Sequence, residues 1–313
     1  MSHIEPVWRA LPAEVKGRLS TWRNRWLGEN NGFLLCAGLD DLRTAAEYHR
    51  PVIFMEHGVG QSYSDDFGRA PPPGAECVRL ILCPGPEAEE RNRARFPGIP
   101  VVQIGAPNLD RWHGPDGLEP SPSSRTSRPI IALSFRPIHF RFAQEARSAL
   151  SHYLPSLPEL AKRYTVLGHG HPIGLERYHK AYEHAGIEVV RDFNEVLRRA
   201  ELYAADNSST LFEFASTGRP VVAMNAPWYR RDKEHGLRFW SHVPGIQANG
   251  PEDLVAVVDM ALTDPPDARV LRKAAVMRVY CAVDGHASRR AASAISRFVV
   301  ELQHLSCVAT SCR

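Results

Sequence analysis

The sequence predicts two α/β domains, each a parallel sheet covered by helices, facing one another across a cleft. Three observations predict this class. Short apolar runs alternate with helical patterns along nearly the whole chain, the signature of strands joined by helical crossovers. One segment, "GPDGLEPSPSSRTSRP" from Gly114 to Pro129, breaks the alternation with Pro, Ser and Gly. The chain has 313 residues, enough for two domains that each bury a core. The division that follows is an N-terminal domain over 1–118, a linker over 119–129, and a C-terminal domain over 130–313 ending in a closing helix.

Taken in order, a helical lead-in rich in Trp and Arg, "VWRALPAEVKGRLSTWRNRWLG", precedes the first strand, "GFLLCAG". Helix "DDLRTAAEYHR", strand "PVIFMEHG", strand "VRLILCPG", helix "EAEERNRARF" and strand "PVVQIGAPN" complete the first half. Beyond the linker come strand "IIALSF", a helical "FAQEARSALSHYLPSLPELAKR", strand "YTVLGHGHP", helix "LERYHKAYEHAG", strand "IEVVRDF", helix "NEVLRRA" and strand "LYAAD". The stretch "AADNSSTLFEFASTGRPVVAM" then predicts a helix whose Leu211, Phe214 and Ala215 share a face, stopped at Gly218, with Pro220 opening a buried strand.

Composition excludes several classes. With 43% hydrophobic and 23% charged residues the chain reads as an ordinary folded, soluble protein. A net charge of +3 is too small to argue for nucleic acid or an anionic membrane, although Arg191, Arg198, Arg199, Arg230, Arg231 and Arg238 crowd one region and suit an anionic ligand. The six cysteines form no CxxC pair and the N-terminus lacks the apolar core of a signal peptide, which predicts reduced thiols and a cytoplasmic protein. No apolar run approaches the roughly 20 residues that cross a bilayer, so a membrane-bound substrate would be met from the surface. No GxGxxG, Walker A loop, GxSxG elbow or HExxH occurs, which argues against dehydrogenase, P-loop ATPase, serine hydrolase and zincin chemistry.

The polar residues that suggest chemistry fall just after predicted strands, where parallel sheets bind ligands. His57 precedes Gly58 and Gly60 and has the neutral-range pKa of a general base, or it is a structural histidine at a strand corner. His169 and His171 could serve a polar turn, donate to a phosphate, or ligate a metal, the last without a nearby Asp or Cys to complete a site. Asp206, Asn207, Ser208, Ser209 and Thr210 exceed what a single helix cap needs, so either capping, with a Thr210–Glu213 capping box, or a phosphate at the helix start explains them. Glu213 could also reach a ribose hydroxyl. "GAPNLDRW" is a turn-rich strand exit that could touch an acceptor, and "DGHASRR" predicts a turn, a Ser288 cap and solvated Arg289 and Arg290 before a helix with Ala291, Ala294, Ile295, Phe298 and Leu302 on one face.

In this order and rough spacing, "HGVG", "GAPNLD", "GHGHP", "RDFNEVLRRAELYAADNSSTLFEFASTGRPVVAM" and "DGHASRRAA" resemble the CDP-glycerol glycerophosphotransferases of teichoic-acid synthesis. The likeness runs from about His57 to Ala292, its specific part in the C-terminal half. It implies a GT-B fold of two Rossmann-like domains, the first on the acceptor side and the second holding a nucleotide donor. It further implies His57 as catalytic base, His171 with Ser208 and Ser209 on the donor phosphates, Asp206 and Glu213 near the nucleotide or ribose, and Gly58 and Asp110 near the acceptor. Paired serines and an "HP" histidine also occur in transferases using CMP-linked donors, which makes cytidine the expected base. No metal and no cofactor beyond the donor are expected. The implied partners are that donor and a glycan, lipid-linked polyol or other hydroxyl acceptor, met in the cytoplasm or at the inner membrane face, with nucleic acid not expected. The family's "HGTPLK" is here "HGVGQSY", without the lysine, and because this loop faces the acceptor the resemblance leaves the acceptor's identity open. Two other readings share the architecture: a GT-B glycosyltransferase acting on modified DNA or protein, and a UDP-GlcNAc 2-epimerase-like isomerase.

Overall fold

The computed structural model describes residues 3–17, 19, 32–56, 58, 59, 70–113, 128–136, 147–229 and 243–311. The chain divides into two compact units, one of Met1–His57, Arg69–Gly117 and Val279–Arg313, the other of Gly58–Gly68 and Leu118–Arg278.

The first unit is built on four parallel strands in the order β1 (Leu34–Cys36), β2 (Val52–Met55), β3 (Val78–Cys83) and β4 (Val101–Gln103). All four residues of β2 are buried, as an uninterrupted apolar run requires when both sheet faces are covered. Strand alternation divides the core, and the register shift between Val52 and Ile53, which pair with Val78 and Leu80, sets those two β3 residues in opposite clusters. Ile53, Met55, Leu80 and Leu82 face one cluster, which contains Val7 of α1 (Ile4–Ala10) and Ala291, Ala294 and Ile295 of α12 (Ala287–Ser311). Val52, Phe54, Val78 and Ile81 join the other, with Leu42 and Ala45 of α2 (Leu39–Glu47) and Phe96, which follows α3 (Pro86–Arg95).

The closing segment corrects the expected division. Expected as the end of the second domain, Val279–Arg313 belongs to the first unit, because the small apolar face of α12 packs onto the β2–β3 side of that sheet. Most of the expected linker lies outside the described residues.

The second unit carries six parallel strands in the order β7 (Glu188–Val189), β6 (Thr165–Gly170), β5 (Ile130–Phe135), β8 (Leu202–Ala205), β9 (Val221–Met224) and β10 (Ile246–Ala248). Strand order reverses between β5 and β8, so this is a doubly wound Rossmann-like sheet whose switch point lies beyond the ends of those two strands. Helices α7 (Pro172–His184), α8 (Phe193–Arg199) and α9 (Thr210–Ala215) make the crossovers from β6 to β9, and α10 (Leu254–Leu262) and α11 (Pro266–Val279) follow β10.

The predicted helix "FAQEARSALSHYLPSLPELAKR" appears, over its described part, as two short helices, α5 (Leu150–Tyr153) and α6 (Leu157–Arg163), joined by a 3₁₀ turn at Leu154–Ser156. Pro155 and Pro158 lack the N–H that continuous i to i−4 bonding needs. Between α9 and β9, Arg219 donates to the carbonyls of Leu197 and Ala200 at the end of α8 and lies 4.4 Å over the Phe214 ring, while burial lowers its pKa to about 10. Cys36, Cys77, Cys83 and Cys281 are free, and burial pushes the Cys36 thiol up to about 12. Among the described residues no helix is long and apolar enough to cross a membrane.

Candidate active site

In the second unit the parallel register sets Gly170 opposite Phe135 and Ala205 opposite Ser134. The three strands therefore end nearly level, and Arg136, His171 and the loop from Asp206 to Ser209 emerge at one sheet edge, the switch-point edge where such folds receive ligands. The site residues expected on that edge are brought together there, though in unequal roles.

Asp206 is fully buried. Its Oδ1 accepts from the Arg136 N–H at 2.9 Å, and its Oδ2 from the Ala149 N–H at 2.9 Å and the Tyr229 hydroxyl at 3.2 Å. Burial raises its pKa to about 6 against the lowering by those backbone donors. The expectation of nucleotide or ribose contact is thereby corrected: the carboxylate presents no surface to a ligand and instead ties the exit of β5 and the entry to α5 to the end of β8. Its partners lie 70, 57 and 23 residues away, so no local signal could have revealed them.

Ser208 and Thr210 form a short chain. Ser208 Oγ lies 2.6 Å from Thr210 Oγ1 and accepts from the Thr210 N–H at 3.3 Å, and Thr210 Oγ1 lies 2.7 Å from the Tyr203 hydroxyl. Burial raises the Tyr203 phenol, which therefore stays neutral. The Thr210–Glu213 capping box does not form: the N-cap is Ser209, whose side chain makes no cap bond, and the Thr210 hydroxyl is held by Tyr203 and Ser208. Ser209 accepts from Phe212 N–H at 3.0 Å through its carbonyl. Its half-buried hydroxyl has no hydrogen-bond partner among the described residues. Asn207, 1% exposed, has neither side-chain nitrogen nor oxygen partnered there. Glu213 is half-buried in the first turn of α9. Gly58, which groups with this unit, adopts φ 82°, and a Cβ there would stand 3.9 Å from Ser209 Oγ. His57 lies outside the described residues.

The two histidines of "GHGHP" separate. His169 is 5% exposed, with Nδ1 2.9 Å from the Val190 carbonyl and its ring 5.4 Å from that of Phe193. Burial lowers its pKa, so it is neutral with the proton on Nδ1, a core histidine of β6. His171 is exposed, and its carbonyl accepts the Leu175 N–H at 3.0 Å, opening α7. Among the described residues no group of three or more His, Cys, Asp or Glu side chains is placed to hold a metal.

Asp110 belongs to the first unit and serves a helix. Its Oδ1 accepts from the Ala287 N–H at 2.9 Å and its Oδ2 from the Ser288 N–H at 2.7 Å, capping α12 where Ser288 was expected to cap it. Charge-assisted bonds at a helix N-terminus also favour the macrodipole. Gly105 adopts φ 86°, and a Cβ there would stand 2.9 Å from Arg290 and 3.0 Å from the Ala282 carbonyl. Arg290, expected to be solvated, bonds the Ile104 carbonyl at 2.8 Å and both Asp284 oxygens at 2.9 and 2.8 Å. "GAPNLD" and "DGHASRR" thus form one interlocked joint.

Residues 145–297 match the family model described as CDP-glycerol:poly(glycerophosphate) glycerophosphotransferase. No curated protein matches the chain. Among solved structures, the chain is similar to the wall teichoic acid polymerase TagF, with a TM-score of 0.55 at 16% identity over 81% of this chain and 69% of that one. It is also similar to a UDP-N-acetylglucosamine 2-epimerase, with a TM-score of 0.50 at 16% identity over 83% and 70% of the two chains. A third likeness is to S. aureus MnaA with UDP, with a TM-score of 0.55 at 13% identity over 85% and 74%. At these identities the structures show the fold, which is GT-B-like. The family match covers the second unit from residue 145 to Arg278, whose strand ends carry His171, Ser208 and Ser209, and runs on to residue 297 in the first unit. The resemblance read from the motifs is thus borne out over residues 145–297, just under half of the chain, where it matches the CDP-glycerol glycerophosphotransferase family of transferases.

Proposed function

We propose that this enzyme moves glycerol phosphate, or a closely related polyol-phosphate or glycosyl group, from a CDP-linked donor to an acceptor hydroxyl. The observation that carries the reading is the uncommitted Ser209 hydroxyl at the switch-point edge, within the segment that matches the glycerophosphotransferase family. An anion placed there meets hydroxyl donors and the start of a helix. In this reading Ser208, Ser209 and His171 hold the donor phosphates, and His57 is the general base.

The acceptor oxygen attacks the phosphorus that bears the glycerol. A new P–O bond forms there as the pyrophosphate P–O bond breaks. CMP departs with the bridging oxygen and its electron pair, and His57 takes the hydroxyl proton. Helix dipole and hydroxyl donors meet the charge growing on the departing phosphate, and the reaction proceeds without a metal ion. The acceptor is a polyol phosphate, free or lipid-linked, met on the cytoplasmic side.

The similarity to a UDP-bound protein gives a second reading, an isomerase that needs no acceptor. Incubation with CDP-glycerol and a glycerol-phosphate-primed acceptor, in EDTA, should release CMP with wild type and at least about a hundredfold more slowly with His57→Ala. Full turnover by that variant sinks the base assignment, and loss of turnover in EDTA sinks the metal-free reading. Conversion of UDP-GlcNAc alone would establish the isomerase.

A further inference from the structure

Of the arginines that crowd the sequence from Arg191 to Arg238, Arg191 pairs with Glu176 at 2.5 Å and Arg199 with Glu188 and Glu195 at 2.7 and 2.8 Å, while Arg230, Arg231 and Arg238 lie outside the described residues. Uncompensated positive charge collects instead in the first unit, along an open groove of about 380 Å³ between β4 and the first turns of α12. Arg289, Ser293 and Arg297 line it at four-residue intervals and are all exposed, with His286 at one end and Val102 and Gln103 along the strand side. Residues four apart stack on one helix face, about 6 Å apart along the axis. Neither Arg289 nor Arg297 pairs with a carboxylate among the described residues, whereas neighbouring Arg290 is held by Asp284. Arg289 Nη2 instead donates to His286 Nδ1 at 2.7 Å, a bond that uses one of the five N–H donors of the guanidinium.

We propose that this groove binds an anionic phosphodiester chain, the growing polyol-phosphate acceptor, at a surface distinct from the donor-phosphate loop; the identity of that chain rests on the transferase reading. The two guanidiniums stand eight residues apart on one rigid helix, about 12 Å along its axis, and suit two phosphates of one chain with Ser293 between them, because each fork can take two oxygens of one phosphate. The lining decides among polyanions. Among the described residues it contains no Phe, Tyr or Trp on which bases would stack, as single-stranded nucleic-acid grooves do. Val102 is the one apolar residue among the described residues of the lining, too little to insert into a bilayer interface.

The test is fluorescence anisotropy with a labelled synthetic oligo(glycerol phosphate), against wild type, Arg289→Gln/Arg297→Gln and Arg289→Lys/Arg297→Lys. The Gln pair should weaken binding at least about tenfold and flatten its salt dependence, while the Lys pair retains most of the affinity. Both positions are exposed, so melting temperature should be unchanged and serves as the control. Equal affinity of wild type and the Gln pair overturns the proposal, as does tighter binding of single-stranded RNA or of phosphatidylglycerol vesicles than of the oligomer. CDP-glycerol affinity is measured in parallel on the same proteins. Its absence in wild type would overturn the transferase reading, while oligomer binding lost only in the Gln pair would still establish the groove.

Discussion

In the first unit, the turn after β4 and the turn before α12 close on each other: Asp110 gives both carboxylate oxygens to helix N–H groups, and Arg290 gives its guanidinium to a carbonyl and to Asp284. In the second unit, the loop after β8 is also rich in polar side chains, yet it divides its labour. Asp206 and Thr210 are taken up by the protein, and the Ser209 side chain has no hydrogen-bond partner among the described residues. Both stretches carry the family resemblance. The difference lies in where their polar atoms go, since a carboxylate already bonded at two backbone N–H groups has little left for a substrate, and an unengaged hydroxyl at a ligand-receiving edge has everything left.

The largest effect should come from Asp110→Ala. It strips two charge-assisted bonds from the start of a 25-residue helix that supplies one wall of the first core. A loss of about 3 kcal/mol is expected, seen as a lowered denaturant midpoint, with about half of it restored by Asp110→Asn, whose one carbonyl oxygen keeps one bond. Donor affinity in the folded fraction should stay at the wild-type value. If Asp110→Ala instead kept its midpoint and lost turnover, the residue would serve the acceptor, as the sequence alone suggested.

That contrast also explains what could be read beforehand. Strands such as "VIFM" and "VVAM" are fully buried apolar runs, and a run of that kind has few alternatives, so the alternating architecture and the Gly218–Pro220 stop were legible residue by residue. The place of Ser208 and Ser209 between β8 and α9 was legible because a run of cap-forming residues directly after an apolar strand marks a helix start. The Asp110 cap was not, because its partners are 177 and 178 residues away. The assignment of α12 to the first unit failed for the same reason: its apolar face was visible in the sequence, and the sheet receiving it was not. His169 and His171 look equivalent in "GHGHP", and only burial separates the core histidine from the exposed one.

A middle-sized effect should follow pH at Asp206. Its pKa in the folded chain, about 6, stands above the ordinary aspartate value of 3.8, so between those values the folded state holds a proton that the unfolded state has released. Folding stability from this group therefore rises as pH falls from 7 toward 4 and is lost as pH rises through 6. From pH 7 to pH 4.5 wild type should gain about 2 kcal/mol relative to Asp206→Asn, which does not titrate. Measuring denaturant midpoints of both proteins across that range isolates the difference from carboxylates such as Asp284, whose pKa is lowered by its bond to Arg290 and which act in the opposite direction. Parallel curves would mean that Asp206 titrates alike in both states, and the buried clamp would then lack the low-polarity setting described above.

The smallest effect on stability, and the sharpest test of the contrast, belongs to Ser209→Ala. The hydroxyl has no protein partner among the described residues, so its removal should shift stability by less than about 0.5 kcal/mol. Ser208→Ala should cost about 1 kcal/mol, since Ser208 Oγ accepts from the Thr210 N–H and meets its hydroxyl. On CDP-glycerol affinity, measured by calorimetry, Ser209→Ala should lose about tenfold, the worth of one hydrogen bond to a charged phosphate. A side chain that matters to the ligand and not to the fold is the opposite of Asp110, and a Ser209→Ala protein unchanged in both stability and donor affinity would return this loop to ordinary helix capping.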